Sequence, residues 1–145
     1  MQLAQFNIAR MRWPLDDPRM DGFSTRLDEL NALADSSPGF VWRLEDADGV
    51  ATSYRPYDEM TLINLSVWTS VEDLKAFTYR STHGEPFRAR REWFEPMDAP
   101  HLVLWWVDDG VRPTVADGMD RLRRLTDDGP SEQAFTFAGA SRFTR

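Results

Sequence analysis

Met60-Thr61-Leu62-Ile63-Asn64-Leu65-Ser66-Val67-Trp68, running directly into Thr69-Ser70-Val71-Glu72-Asp73, decides the fold of this chain. The first nine residues alternate. Ile63, Leu65 and Val67 share one side, and Leu62, Asn64, Ser66 and Trp68 share the other, which is the two-residue period of a β-strand. The next five carry a hydroxyl and an acid three residues apart, the capping-box start of a helix. Leu74, Phe77 and Ser81 continue that helix.

Upstream, Gln2 to Met11 reads as a strand, with Phe6 and Ile8 on one side and Gln5 and Asn7 on the other. Pro14 and Leu15-Asp16-Asp17-Pro18 break it. Asp17 before Pro18 is an N-cap followed by proline at the first helical position. Met20, Phe23, Leu27, Leu30 and Ala34 recur every three or four residues, which predicts one buried helical face. Ser36-Ser37-Pro38-Gly39 ends that helix. Phe40 to Leu44 is a short strand, and residues 45–59 form a polar connection.

Downstream, Gly84-Glu85-Pro86 restarts a helix carrying Phe87, Arg90, Arg91 and Phe94, and Pro96 and Pro100 end it. His101 to Val107 is a nearly all-apolar fourth strand. Thr114 and Asp117 form a second capping box for a last helix with an inner stripe of Val115, Met119, Leu122 and either Leu125 or Thr126. Gly129-Pro130 stops it, and Ala134 to Phe137 reads as a final edge strand. The order β-α-β-β-α-β, with a helix and short strand appended, is the split βαβ of an α+β ferredoxin-like fold: a four-stranded antiparallel sheet with helices on one face. Residues 1–145 fit one domain.

The composition narrows the function. With no cysteine there is no disulfide, thiolate metal site or thiol nucleophile, and a reducing, cytoplasmic setting is expected. No signal peptide or ~20-residue apolar run is found, so neither export nor membrane insertion is expected. Seventeen basic against 24 acidic side chains give a net charge of −7, which disfavours nucleic acid and anionic lipid as partners. Six tryptophans point to a pocket or an interface as well as a core.

A sheet covered on one face leaves the other to water or a partner. The alternation assigns Gln5, Asn7, Asn64, Ser66 and Trp68 to that open face, with one of Trp105 and Trp106 and one of Trp42 and Arg43. Amides, a hydroxyl and indoles suit a half-buried cavity lining better than plain surface. The simplest cover is the same face of a second copy, giving an isologous homodimer with a pocket in each subunit. Asn7 and Asn64 are either a satisfied amide pair or contacts to a substrate oxygen. Trp68, Trp105 and Trp106 are candidates for a stacking wall. His83 and Tyr79 are candidates for proton transfer, and Arg80, in a basic run with Arg88, Arg90 and Arg91, for clamping a carboxylate. His101 reads as structural. No metal loop, phosphate loop or nucleophile elbow is present, so no metal is expected.

Several strings resemble a known family. Phe6-Asn7-Ile8-Ala9-Arg10, Ser37-Pro38-Gly39-Phe40-Val41-Trp42, Asn64-Leu65-Ser66-Val67-Trp68, Tyr79-Arg80-Ser81-Thr82-His83, Arg91-Glu92-Trp93-Phe94, Leu104-Trp105-Trp106-Val107 and Gly129-Pro130 through Ala134-Phe135-Thr136-Phe137 are similar to domain-of-unknown-function family 3291. That family lies in the dimeric α/β-barrel superfamily, beside antibiotic-biosynthesis-type and heme-degrading monooxygenases. The resemblance implies the fold and a homodimer, and no activity. The heme-degrading members use an Asn on the first strand, a Trp ending the third and a His on the following helix, and Asn7, Trp68 and His83 occupy similar elements.

The expected function is thus a small-molecule enzyme without a cofactor: a monooxygenase, or a cyclase or isomerase, acting on a hydrophobic or aromatic substrate. Trp68 and one of Trp105 and Trp106 stack on it, Asn7 and Asn64 bond its carbonyl or enolate, and His83 or Tyr79 moves a proton. The alternative is a non-catalytic dimer that carries or senses a small ligand, with heme as a further candidate.

Overall fold

Four strands pair in the order β2-β3-β1-β4 in the computed structural model, which describes residues 1–82 and 90–143. They are β1 (Gln2–Arg10), β2 (Phe40–Arg43), β3 (Thr61–Trp68) and β4 (Leu102–Val107), all antiparallel to their neighbours. The helices are α1 (Asp21–Asp35), α2 (Val71–Thr82) and α3 (Val115–Asp128). This is the expected ferredoxin-like order. A helical turn at residues 90–93 precedes β4. The rest of that expected helix, with Phe87 and Arg88, lies outside the described residues.

The helix starts follow their capping chemistry. Asp17 accepts from the Arg19 backbone N–H at 2.9 Å and Pro18 opens a 3₁₀ turn, Pro18–Met20, that leads into α1. Ser70 Oγ accepts from the Asp73 N–H at 3.1 Å, and Thr114 and Asp117 cap each other reciprocally at α3. Gly39, at φ 81°, turns the chain from α1 into β2. A side chain at that position would also collide with Asp73 at the start of α2.

Register fixes the faces. Asn7 lies opposite Asn64, Leu3 opposite Trp68 and Trp106, and Phe6 opposite Leu65 and Val103. One face therefore carries Ala4, Phe6, Ile8, Ile63, Leu65, Val103 and Trp105, and these form a single core with Leu122 and Leu125 of α3. The other face meets α1 and α2 through two separate cores. One joins Leu3, Trp68 and Leu104 to Ala34, Val71 and Leu74. The other joins Met11 and Leu62 to Met20, Trp93 and Phe94.

This overturns the expectation of an open sheet face. The two crossover helices do share one face, but α3 crosses the other. Gly118 lets the α3 backbone come down on the Phe6 ring, where any Cβ would collide, and the Leu122/Leu125 stripe completes the seal. The cover assigned to a second copy is supplied by the chain itself. The expected strand Ala134 to Phe137 is reduced to one bridge: Phe135 exchanges backbone bonds of 2.8 and 2.9 Å with Leu104, and a 3₁₀ turn, Phe137–Arg142, follows.

Candidate functional site

Gln5, Asn7, Asn64 and Ser66 share a sheet face with Trp68, as the alternation requires, but that face lies toward α1 and α2. They form a polar island between the two cores. Gln5 and Ser66 are only 4% and 6% exposed. Gln5 Nε2 donates to Asn64 Oδ1 at 2.6 Å and to Ser66 Oγ at 3.1 Å, and Trp68 Nε1 donates to Ser66 Oγ at 2.9 Å. Ser66 thereby accepts twice, and its hydroxyl proton points elsewhere. Asn64 is the one exposed residue of the eight in β3. Its Nδ2 and the half-buried Asn7 amide have no hydrogen-bond partner among the described residues.

Along α1, burial is deepest at the two ends and shallower in the middle. Met20 and Ala34 are buried, whereas Phe23, Leu27 and Leu30 of the same predicted stripe are half-buried, and Leu27 and Leu30 join neither core. The first end is fixed where Gly22 meets Trp93, an added Cβ falling 2.7 Å from the indole. The second is fixed by Arg43 of β2, which bonds Asp35 Oδ1 at 2.8 Å. The Asp35 carboxylate raises the Arg43 pKa.

Two cavities adjoin this helix layer. One, of about 530 Å³, lies between α1, the end of α2 and the 90–94 turn, and includes Phe23, Leu30, Arg26, Arg80, Arg90 and Trp93 in its lining. The other, of about 480 Å³, lies past the end of β1 and includes Ile8, Arg12, Arg91, Met97 and His101. Arg90 and Phe94 line both and form the wall between them. Burial lowers the Arg90 pKa, and its guanidinium lies 5.7 Å from the Phe94 ring centre.

A family model for a domain of unknown function, DUF3291, matches residues 2–144. The chain belongs to the DUF3291 family. No curated protein matches it. Among solved structures, it is similar to SnoaB, a cofactor-independent oxygenase from Streptomyces nogalater, at 16% identity and a TM-score of 0.48, over 79% of this chain and 96% of that one. It is also similar to a putative antibiotic biosynthesis monooxygenase from Nitrosomonas europaea, at 13% identity and TM-score 0.48, over 76% and 93% of the two chains. A third likeness is to a putative antibiotic biosynthesis monooxygenase from Chloroflexus aurantiacus, at 18% and 0.43, over 77% and 99%.

In this DUF3291 chain the indoles expected as a stacking wall do not assemble. Trp68 is 1% exposed, edge-on to Phe40 and stacked on Phe77 at 5.1 Å. Trp105 is 2% exposed in the core beneath α3. Trp106 is at the far sheet edge and donates to the Phe143 carbonyl at 2.6 Å. Period two told which residues were neighbours, but not that aromatic partners from α2 and the C-terminal segment would bury them. Tyr79 is 64% exposed on α2. Arg80 lines the larger cavity and donates to Ser37 Oγ at 3.0 Å. His83 lies outside the described residues. His101, read as structural, lines the smaller cavity.

Sequence reasoning missed Arg26, Phe23 and Trp93 as lining residues. Phe23, Arg26, Leu30 and Leu33 do recur at helical spacing, so the signal was a second, mixed stripe beside the apolar one.

Among the described residues no group of three His, Asp or Glu could hold a metal, and no helix is long and apolar enough to cross a membrane. The heme reading needs Trp68 at a macrocycle, and Trp68 is sealed between two phenylalanines. The described residues do not fit heme. What the island offers is two amides, on Asn64 and Asn7, with no donor partner among the described residues, suited to holding a carbonyl or enolate oxygen.

Proposed function

We propose that this protein is a small-molecule enzyme of the cofactor-independent monooxygenase kind, acting on an aromatic ketone with an acidic C–H held beneath α1. The observation that supports this reading is Asn64: one exposed amide, with Nδ2 unpartnered among the described residues, in a strand otherwise buried throughout. An amide placed mid-strand fits a strand poorly and a ligand well.

In this scheme the substrate C–H gives up its proton, a role proposed for His83. The electron pair delocalises onto the carbonyl oxygen, where Asn64 Nδ2–H and the Asn7 amide hold the enolate. Dioxygen adds at the carbon, the hydroperoxide loses water, and a new carbonyl remains: CH₂ plus O₂ gives C=O plus H₂O, the substrate supplying all the electrons. Holding the enolate is the protein's contribution. Oxygen uptake with a panel of polycyclic aromatic ketones tests it. Asn64→Ala is expected to lower kcat by roughly 10²–10³ with the fold intact, and unchanged uptake would remove the mechanism.

One observation favours a second reading, a non-catalytic binder: no titratable side chain among the described residues bonds to the island. Ligand recovered unchanged after long incubation, identified by mass spectrometry, would select it. Homodimerisation remains a proposal in either case, supported by the family resemblance and not by sheet-face burial. Sedimentation velocity measures it.

A further inference from the structure

The arginines of this chain divide into two groups. Arg10, Arg19, Arg43, Arg123 and Arg124 each lie within 4 Å of a carboxylate. Arg12, Arg26, Arg55, Arg80, Arg90, Arg91, Arg112, Arg121 and Arg142 have no such partner among the described residues, although the chain has seven more acidic than basic side chains. Three of these, Arg26, Arg80 and Arg90, line one cavity between α1, the end of α2 and the 90–94 turn, where Glu29 is the one acid among the described lining residues.

These guanidinium groups are placed in different ways. Arg80 is fixed across the gap between the two helices, its Nη2 donating to Ser37 Oγ, which in turn donates to the Leu33 carbonyl at 2.6 Å. Arg90 keeps much of its surface exposed, its guanidinium lies 5.7 Å from the Phe94 ring centre, and no acid lies within ion-pair distance of it among the described residues. Arg26 projects from the middle of α1, the part of the helix not seated on the sheet. Much of the remaining wall is apolar, with Phe23, Leu30, Leu33, Trp93 and Phe94, beside Glu29, Ser36 and Ser81. The volume, about 530 Å³, is that of a small-molecule pocket.

We infer that this cavity binds an apolar molecule through a single carboxylate, taken by the guanidinium groups of Arg26, Arg80 and Arg90. A carboxylate matches the forked donors of arginine and supplies the missing counter-charge. The apolar walls select an aromatic or aliphatic acid over a nucleotide or a polyanion. The inference is independent of turnover at the amide island and holds for an enzyme or a carrier.

The test is calorimetric titration of the full chain at pH 7 with 1-naphthylacetate and with its neutral twin, 1-naphthylacetamide. The acid is expected to bind at least about tenfold more tightly, since hydrogen bonds to charged groups contribute ~1.5–3 kcal/mol. Arg90→Gln and Arg26→Gln should each erase most of that preference while leaving the amide's affinity unchanged. Arg112→Gln is the control for bulk charge: Arg112 lies 5.7 Å from the Trp42 ring centre, on the α3 side of the sheet. It should leave the preference intact. If Arg90→Gln does not fold, Arg26→Gln carries the test, because Arg26 makes no ion pair within the described residues. Equal affinity for acid and amide, equal weakening of both by the arginine variants, or an equal effect of Arg112→Gln would each overturn the assignment.

Discussion

The two faces of the same four strands are built to opposite rules. On the α3 side the core cluster is apolar throughout, Phe6 and Leu65 are fully buried, and a glycine brings the helix into contact with the sheet. On the α1/α2 side two apolar clusters stand apart, four polar residues lie between them, and the helix overhead is seated only at its ends. Alternate residues of one strand serve both rules: Phe6 and Ile8 face the dry core, and Gln5 and Asn7 face the polar island. Close packing on one side supplies the stability that lets the other side keep an opening and exposed amides, the usual division between scaffold and site.

The largest expected effects lie on the dry side. Phe6→Ala should lower the unfolding free energy by about 3–5 kcal/mol and Leu122→Ala by about 2–5, because each leaves a cavity in a core with no room to collapse. Leu30→Ala, on the unseated middle of α1, should lower it by no more than about 1 kcal/mol, since little apolar area leaves water there to begin with. Urea titrations of the three variants measure the contrast. A Leu30→Ala variant as damaging as Leu122→Ala would mean that α1 is seated on the sheet in solution and the cleft is closed.

Within the island the contrast is finer. Ser66→Ala leaves both the Trp68 indole N–H and the Gln5 amide short of an acceptor in a buried setting, and should lower stability by about 1–3 kcal/mol. Asn64→Leu removes one acceptor from Gln5, which retains Ser66, and should change stability by less than about 1 kcal/mol while abolishing ligand response. Thermal melts of both, with and without ligand, separate the roles: Ser66 holds the floor together and Asn64 faces what lies on it. A large stability loss in Asn64→Leu would make Asn64 a structural residue.

Much of this fold was legible because its signals are local. The alternation in Met60 to Trp68, the Asp17-Pro18 entry and the Thr114/Asp117 capping box each depend on neighbours within a few residues, and all three are found. Which face stays uncovered is not local. It depends on where the last helix lies, and the glycine that lets it lie on Phe6 is separated from Phe6 by more than a hundred residues of chain. Trp68 reads as exposed or buried by the same period-two rule, and Phe40 and Phe77 decide between them. The larger cavity has no strand or helix signature of its own. It is a gap between elements, and only Arg80 and Arg90, read as a possible carboxylate clamp in a basic run, hinted at it.

The smallest expected effect concerns the pin at the start of α1. Hydrogen bonds from the Arg19 side chain, and then from its backbone N–H, lower the Asp17 pKa to about 2. A carboxylate depressed in the folded state stabilises it fully above its unfolded pKa of about 4 and loses that contribution as pH falls toward the folded value. The α1 entry should therefore weaken between about pH 4 and pH 2, with no change from pH 7 to pH 5. Amide hydrogen exchange read element by element, with the intrinsic rate corrected for pH, should show α1 losing protection in that window before α3 does. Asp17→Asn keeps a side-chain acceptor but no charge, and should remove the α1-specific acid step without disturbing α3. Loss of protection in both helices together would show that the two faces unfold as one unit, with α1 no looser than the helix that seals the dry side.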